Sequence, residues 1–546
     1  MKLKNFRGFP LLIILLTLPM LACSVFGIGG DDNIPSNAVV LNVMANTTAA
    51  PWLETAVTTF NASETATSSG DPVFVQLIAV ESGEAIAALQ ATPSTALWLP
   101  EEAVWTDVLA EDGDSSFQND CVSVAQSPLV IGMWREVAEA LGWPGLPLGW
   151  LDIGSLAADP AAWDYYSGGT LGDSFKLGHT HPGLSGSGAS TLLAVVQAAE
   201  SKTDAVSVGD IGQPIVQASV GAFEGGVTWF SSSTQSLATT MAERGVDYLT
   251  AGIMYEANVA QLGGSDIVAI YPLEGTFVAD FPACVRDSAT SGEKEAAVLF
   301  RDFLLSDKGQ QLATDSGLRP VSSAISLAAT DAIDPSQPAL VFESPSTASI
   351  FAVQELWQEA RKDVNLVMLL DTSGSMRGSK MSTMQAAAMQ FVSQMGDDDY
   401  ISVIAFSTEP ELIIQHVQVG ENRDKIINAI SDLNAVGDTT LFDAIGDGAA
   451  LLTETSLPST ANAMVVLTDG QDTRSYRFNS ATAMQEATAN NATVFTIAYG
   501  GDADEQTLEQ LAIQANGNFF IGDEASIAAI YEEMSAAFGG SVGVGR

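Results

Sequence analysis

Along this chain, short apolar runs rich in β-branched residues alternate with stretches in which apolar side chains recur every three or four positions. Val39-Val40-Leu41-Asn42-Val43-Met44 predicts a strand, Trp52 to Asn61 an amphipathic helix, Val73 to Val80 a second strand and Ser82 to Ala91 a second helix. Strands that alternate with helices predict an α/β fold, with a parallel sheet covered on both faces. The alternation runs to about residue 361, broken at Glu111 to Asp120 and at Ser201 to Gln213, which read as surface loops. A Ser/Ala/Pro-rich stretch from residue 321 leads into a predicted helix from Thr347 to Lys362. Val364 to Leu370 is then an apolar run interrupted only by Asn365, the pattern of a strand buried on both faces, and a new α/β domain starts there.

The N-terminus departs from this pattern. Lys2, Lys4 and Arg7 precede an apolar run from Phe9 to Leu18, and Pro19-Met20-Leu21-Ala22-Cys23 closes it. That order is a signal peptide's, and the run is too short and too interrupted by Pro10 and Pro19 to read as a membrane span. Ala22 before Cys23 resembles the lipobox of bacterial lipoproteins, with Met20 and Leu21 replacing the commoner residues. The resemblance implies removal of residues 1–22 and lipidation of Cys23, hence an exported protein held by lipid at the cell surface or the periplasmic face of the membrane. An ordinary signal peptide with Cys23 incidental is the competing reading. Residues 23–37 form a Gly-, Asp- and Ser-rich tether.

Charge narrows the function classes. The 546 residues carry 21 Lys+Arg against 66 Asp+Glu, a formal net charge of −45, which repels phosphate backbones and anionic lipid surfaces. Nucleic acid is excluded as a partner, and any anchor must be hydrophobic. Three Cys and three His cannot build a zinc-finger or iron–sulfur framework and leave few candidates for a His-dependent triad. No Gly-rich nucleotide loop, nucleophile elbow or acid–base pair stands out, so a protein without catalytic activity is expected.

Chemistry concentrates after the buried strand. Asp371-Thr372-Ser373-Gly374-Ser375 puts three oxygen-bearing side chains at i, i+2 and i+4 where the chain leaves the carboxyl end of that strand, the ligand-binding end of open α/β sheets. Gly437-Asp438-Thr439-Thr440 offers a hydroxyl before a helix, and Ala463 to Leu467 is another buried run, ending on Thr468-Asp469-Gly470. Hydroxyls and carboxylates without nitrogen or sulfur suit a hard cation, Mg²⁺ ahead of Mn²⁺ or Ca²⁺. Residues 363–546 resemble a von Willebrand factor A (VWA) domain, a doubly wound Rossmann-like fold, and the three segments match its metal-ion-dependent adhesion site. The resemblance implies Asp371, Ser373, Ser375, Thr439 and Asp469 as metal ligands and a partner protein that offers a carboxylate to the metal. Asp438 stands where the family often has a second Gly, a departure that would tighten or re-aim the threonine loop.

Residues 38–361 resemble the two-lobed, type II extracellular solute-binding proteins, periplasmic-binding-protein-like in fold. The phrases that carry this are Ser127 to Met133, Phe175 to Pro182 followed by Ser185 to Ser190, Ala269 to Thr276, and Ala296 to Pro320. Asn46-Thr47-Thr48, Ser82-Gly83 and Ser185 to Ser190 have the character of loops that open helices and present free N–H groups. Thr47, Thr48, Ser82, Ser185, Ser187 and Ser190 are the candidate solute contacts, in a cleft suited to an oxyanion or carboxylate. Glu81 and Glu84 would repel such an anion unless they point away, and ordinary helix starts explain the same residues. His179 and His181 lack a third ligand and read as loop residues, and Trp98 and Trp105 read as core ahead of ligand stacking. Cys121 and Cys284 flank segments that run close together in two-lobed binding proteins. In an exported chain they form a disulfide or remain two buried thiols.

The leading expectation is a membrane-anchored lipoprotein that binds a partner protein through its metal site and a small solute in the two-lobed module. The alternative is a solute receptor for an ABC-type permease with an accessory VWA domain.

Overall fold

The computed structural model describes residues 34–539 apart from 172–173, 458–459 and 490–491. The expected signal peptide, the lipidation candidate Cys23 and most of the expected tether lie outside the described residues.

In the first lobe, Val73–Ala79, Val39–Ala45 and Thr95–Leu99 run parallel. The helix Ala50–Asn61 buries Trp52, Leu53, Ala56, Val57 and Phe60 beneath them. Pro282–Val285 joins this sheet antiparallel to Thr95–Leu99, and Cys121–Ser123 pairs antiparallel with Pro282–Val285 at the edge. The expectation of a wholly parallel sheet is thus corrected. These two strands belong to segments that pass between the lobes, so they join the sheet without a crossover helix to set their direction. The second lobe is mixed for the same reason. Its long strand Ala125–Trp134 pairs antiparallel with Ala251–Tyr255, Ile267–Ile270 and Val278–Ala279, while Leu177–Thr180 and Val227–Ser231 are parallel to each other. Of the expected loop at Glu111 to Asp120, Glu111 ends the helix Val104–Glu111 and the rest is irregular, yet Phe117 within it is fully buried. The expected loop at Ser201 to Gln213 contains a helical turn, Val208–Ile211, whose N-terminus Ser207 and Asp210 cap reciprocally.

The stretch after residue 320 returns to the second lobe, where Phe342 N–H donates to the Thr276 carbonyl at 2.9 Å and the Phe342 ring is buried. The helix Thr347–Ala360 follows and ends two residues earlier than expected. Arg361 then leaves the helix to form a buried, two-pronged ion pair with Asp399, at 3.0 and 3.2 Å.

The C-terminal sheet has the order Pro410–Gln418, Tyr400–Phe406, Asp363–Asp371, Thr460–Thr468, Thr493–Tyr499, Phe519–Gly522, parallel except at the first edge. The pleat explains why the central strand is apolar between its terminal aspartates at every position but Asn365. Val364, Leu366, Met368 and Leu370 enter one core and Val367 and Leu369 the other, each covered by its own helices. Both modules are thus α/β, the first two-lobed with mixed sheets and the second doubly wound, as expected. Among the described residues, no helix is long and apolar enough to cross a membrane.

Candidate metal centre and interlobe cleft

The three expected loops of the C-terminal domain meet at the carboxyl end of its sheet. Gly374 N–H donates to the Gly437 carbonyl at 3.0 Å, joining the first loop to the second. A Cβ built on Gly470 would stand 3.9 Å from Thr439 Oγ1, which brings the third loop against the second. Ser373 Oγ lies 2.9 Å from Ser375 Oγ, and Ser375 Oγ donates to Asp469 Oδ1 at 2.6 Å. Asp371 is fully buried, with Oδ1 accepting from Ser373 N–H at 2.7 Å and Oδ2 from Thr468 Oγ1 at 2.6 Å. Burial pushes the Asp371 carboxyl above its usual range, and those two hydrogen bonds oppose the push. Asp371, Ser373, Thr439 and Asp469 are buried, while Ser375 is exposed at the rim.

This donor set is three hydroxyls and two carboxylates, which fits a hard cation that retains part of its water shell. The described residues hold no cluster of three or more His, Cys, Asp or Glu suited to a metal, so a cation here would depend on the hydroxyls. Two neighbours were not foreseen. Thr468, the last residue of its strand, orients Asp371. Lys380, on the first turn of the helix Ser379–Gln394, places Nζ 2.7 Å from Asp469 Oδ2. Asp438 turns outward to Arg474, at 3.0 Å, so the extra carboxylate does not enter the site. Gly437, at φ +83°, makes the bend where a Cβ would collide with Thr408. Thr439 is held by its backbone, its N–H donating to Thr473 Oγ1 at 3.0 Å.

The six candidate solute contacts of the first module also come together, but each hydroxyl is already engaged. Thr47 donates to Glu81 Oε1, Ser82 to Glu101 Oε2, Ser185 to Glu81 Oε2 at 2.6 Å and Ser190 to Glu102 Oε1 at 3.3 Å. Ser187 shares hydrogen bonds with Thr180 and Thr234, both at 2.7 Å, and Thr48 Oγ1 donates to Asn258 Oδ1 at 3.2 Å. Glu81 therefore points into the cleft. Glu101 and Glu102, just past the strand Thr95–Leu99, do the same and were missed. Burial and the neighbouring Glu81 charge push the Glu101 carboxyl well above its usual range. Burial, with Asp280 adding, raises Glu102 to about 7.

The remaining candidates are structural in position. His179 lies within the strand Leu177–Thr180, a correction to its loop assignment, with Nε2 2.9 Å from Glu224 Oε1 and Nδ1 2.8 Å from the Thr180 carbonyl oxygen. His181 packs edge-on against Trp357, at 4.6 Å between ring centroids. Trp98 and Trp105 are core residues. Cys121 and Cys284 face each other on adjacent antiparallel strands and form a disulfide, their Cα atoms 4.0 Å apart.

With this geometry in view, the comparisons are specific. Residues 41–319 match the bacterial extracellular solute-binding protein family, and residues 365–533 match the von Willebrand factor type A domain. An uncharacterized protein of Synechocystis sp. is 30% identical over 160 residues, which is 29% of this chain and 38% of that protein. The inter-alpha-trypsin inhibitor heavy chain H4 of Sus scrofa is 27% identical over 170 residues, 30% of this chain and 18% of that protein. The chain thus spans well under two thirds of the length of these curated relatives. Among solved structures, the periplasmic binding protein AfuA of Actinobacillus pleuropneumoniae superposes with a TM-score of 0.42 at 16% identity, over 59% of this chain and 96% of that one. A von Willebrand factor type A protein from Catenulispora acidiphila gives a TM-score of 0.30 at 24% identity, over 32% of this chain and 42% of that one. The chain belongs to the bacterial extracellular solute-binding proteins, and a von Willebrand factor type A domain follows its solute-binding module.

Proposed function

We propose that this protein is an exported lipoprotein, anchored through Cys23, that captures a partner protein at a metal held by Asp371, Ser373, Ser375, Thr439 and Asp469. In this reading it is a binding protein and not an enzyme, and the two-lobed module is its second binding unit, of solute-binding type. The observation that carries the proposal is the meeting of three loops whose donors are all oxygen, two of them carboxylates. A divalent cation bound there would supply the positive charge that lets an acidic surface accept a partner's carboxylate. The chain's own residues do the positioning. Thr468 and the Ser373 N–H fix the buried Asp371 carboxylate, the Thr473 hydroxyl holds the threonine loop, and Ser375 stands at the open rim. Membership of an extracellular family supports export.

Calorimetric titration of Mg²⁺ into the mature chain tests the metal site. Asp371→Ala removes a charged ligand and Thr439→Ala a hydroxyl, and each is expected to weaken binding at least about tenfold, with unchanged circular dichroism. Equal affinity in all three proteins would refute the assignment. Mass spectrometry of the processed N-terminus tests the anchor, which an unmodified start downstream of Cys23 would disprove.

A further inference from the structure

Glu81 and Glu101 come from the first lobe, yet most of their buried acceptor capacity is directed at donors that a two-lobed binding protein would turn toward a solute. Glu81 accepts four hydrogen bonds. Two come from its own lobe, from Thr47 and from Asn46 Nδ2 at 3.1 Å, and two cross the cleft, from Ser185 Oγ at 2.6 Å and Thr234 N–H at 3.0 Å. Glu101 accepts from Ser82 and from Asn46 Nδ2 at 2.5 Å, and across the cleft from Gly186 N–H at 3.1 Å. Thr234 and Gly186 are the first residues of the helices Thr234–Arg244 and Gly186–Glu200, so both carboxylates sit on helix N-termini, where anions are favoured. Backbone contacts close the same gap. Gly83 and Glu84 N–H groups donate to the Leu184 carbonyl at 2.8 and 3.1 Å, and a Cβ on Gly83 would collide with that segment.

A further observation points to a ligand position. The Tyr255 hydroxyl, from the second lobe, is fully buried and has no hydrogen-bond partner. Beyond its burial, the charges of Glu101, Glu102 and Glu81 bear on it, so it lies near the same cluster. The cleft is therefore built with the donors of an anion site and is filled by the chain's own carboxyl groups.

Resting on the solute-binding reading of this module, we propose that Glu81 and Glu101 act as a tethered ligand: they occupy the oxyanion positions of the cleft, latch the two lobes together and bar free oxyanions. They would then be the specificity-determining residues of the module. Removing both carboxylates should free the donors of Thr47, Ser82, Ser185, Gly186 and Thr234 for an anion from solution.

The test uses the mature chain with inorganic sulfate as the probe, in equilibrium dialysis and small-angle scattering. The wild type is expected to show no saturable sulfate binding and a compact scattering curve that sulfate leaves unchanged. Glu81→Ala/Glu101→Ala is expected to expand as the lobes part, to bind sulfate saturably where the wild type does not, and to contract on binding. Glu81→Gln keeps the side-chain volume, guards against a double variant that fails to fold, and is expected to expand on its own. Saturable sulfate binding by the wild type would overturn the tethered-ligand proposal while leaving the solute-binding reading intact. Folded variants that stay compact and bind no sulfate would overturn the proposal and count against an anion-type solute site altogether.

Discussion

Single side chains at both centres show how charge is balanced inside an acidic protein. At the proposed metal site, the Lys380 ammonium stands 2.7 Å from one oxygen of Asp469, whose other oxygen faces Ser375. A dication near Asp469 would feel that ammonium as a competitor, so Lys380→Met is expected to raise Mg²⁺ affinity by about threefold to tenfold. Titration calorimetry reads this directly, and unchanged or weaker binding would make Lys380 a support for Asp469 instead. In the cleft, Glu102 is buried and its carboxyl is raised from the usual 4.5 to about 7. A folded pKa above the unfolded one means that the unfolded chain releases this proton first. Stability from this group is complete below the unfolded value and is lost as pH rises through the folded one. The loss amounts to about 3 kcal/mol at most. Glu102→Gln should thus match the wild type near pH 4 and exceed its stability by up to about 3 kcal/mol at about pH 8. Urea unfolding at several pH values checks it, and parallel pH profiles for the two proteins would contradict the assignment.

Elements turn such residues into a frame, and they were legible in the sequence to unequal degrees. The helix Ser82–Ala91 and the strand Asp363–Asp371 follow the hydrophobic pattern nearly residue for residue, because burial on a defined face writes itself into every position. The meeting of the three loops at the carboxyl end of the C-terminal sheet was legible for a related reason: each directly follows a strand or precedes a helix, so local order carries the geometry. Strand direction in the lobes was not legible, since it depends on where the chain re-enters a sheet after visiting the other lobe. Nor was the inward turn of Glu81 and Glu101, which is decided by donors 104 and 85 residues away. Lys380 is similar, because a lysine on a first helical turn says nothing about a carboxylate 89 residues further on. The junction between modules shows what an element boundary can hold. Arg361 ends the linking helix and meets Asp399, which also accepts from Val364 N–H at 2.9 Å and Gly396 N–H at 2.8 Å, so one carboxylate ties the linker, the central strand and a turn. Arg361→Met would leave that carboxylate buried without its counter-charge and is expected to cost about 3 kcal/mol. Adding Asp399→Asn should restore part of the loss. Denaturant unfolding of the three variants tests this, and a loss below about 1 kcal/mol for Arg361→Met would mean that the ion pair is well replaced by packing.

At the scale of the whole molecule, the C-terminal von Willebrand factor type A domain is docked on the second lobe, beside the segment that closes the cleft. The helix Ile527–Ala537 lies against the strand Val227–Ser231. Its Ala536 packs on Leu184, whose carbonyl receives the Gly83 and Glu84 N–H groups and whose neighbour Ser185 donates to Glu81. A second contact lies at the end of the helix Thr234–Arg244, which begins with another donor to Glu81. There the Arg244 guanidinium donates to the Gly517 carbonyl at 2.5 Å, to Asn518 Oδ1 at 3.2 Å and to the Ile513 carbonyl at 3.3 Å. Both elements that reach Glu81 from the second lobe therefore also touch the C-terminal domain, which makes the docking contact a mechanical neighbour of the cleft and not a loose tether. Arg244→Ala deletes three charge-assisted hydrogen bonds between the modules while leaving both cores intact. Hydrogen exchange of the full chain is expected to quicken at least about tenfold in the loop around residues 513–518 and to rise around residues 183–186, with the strand Asp363–Asp371 as protected as before. Faster exchange confined to 513–518 would show that docking and cleft closure are independent. Unchanged exchange everywhere would assign the docking to the apolar Leu184–Ala536 contact instead of to Arg244.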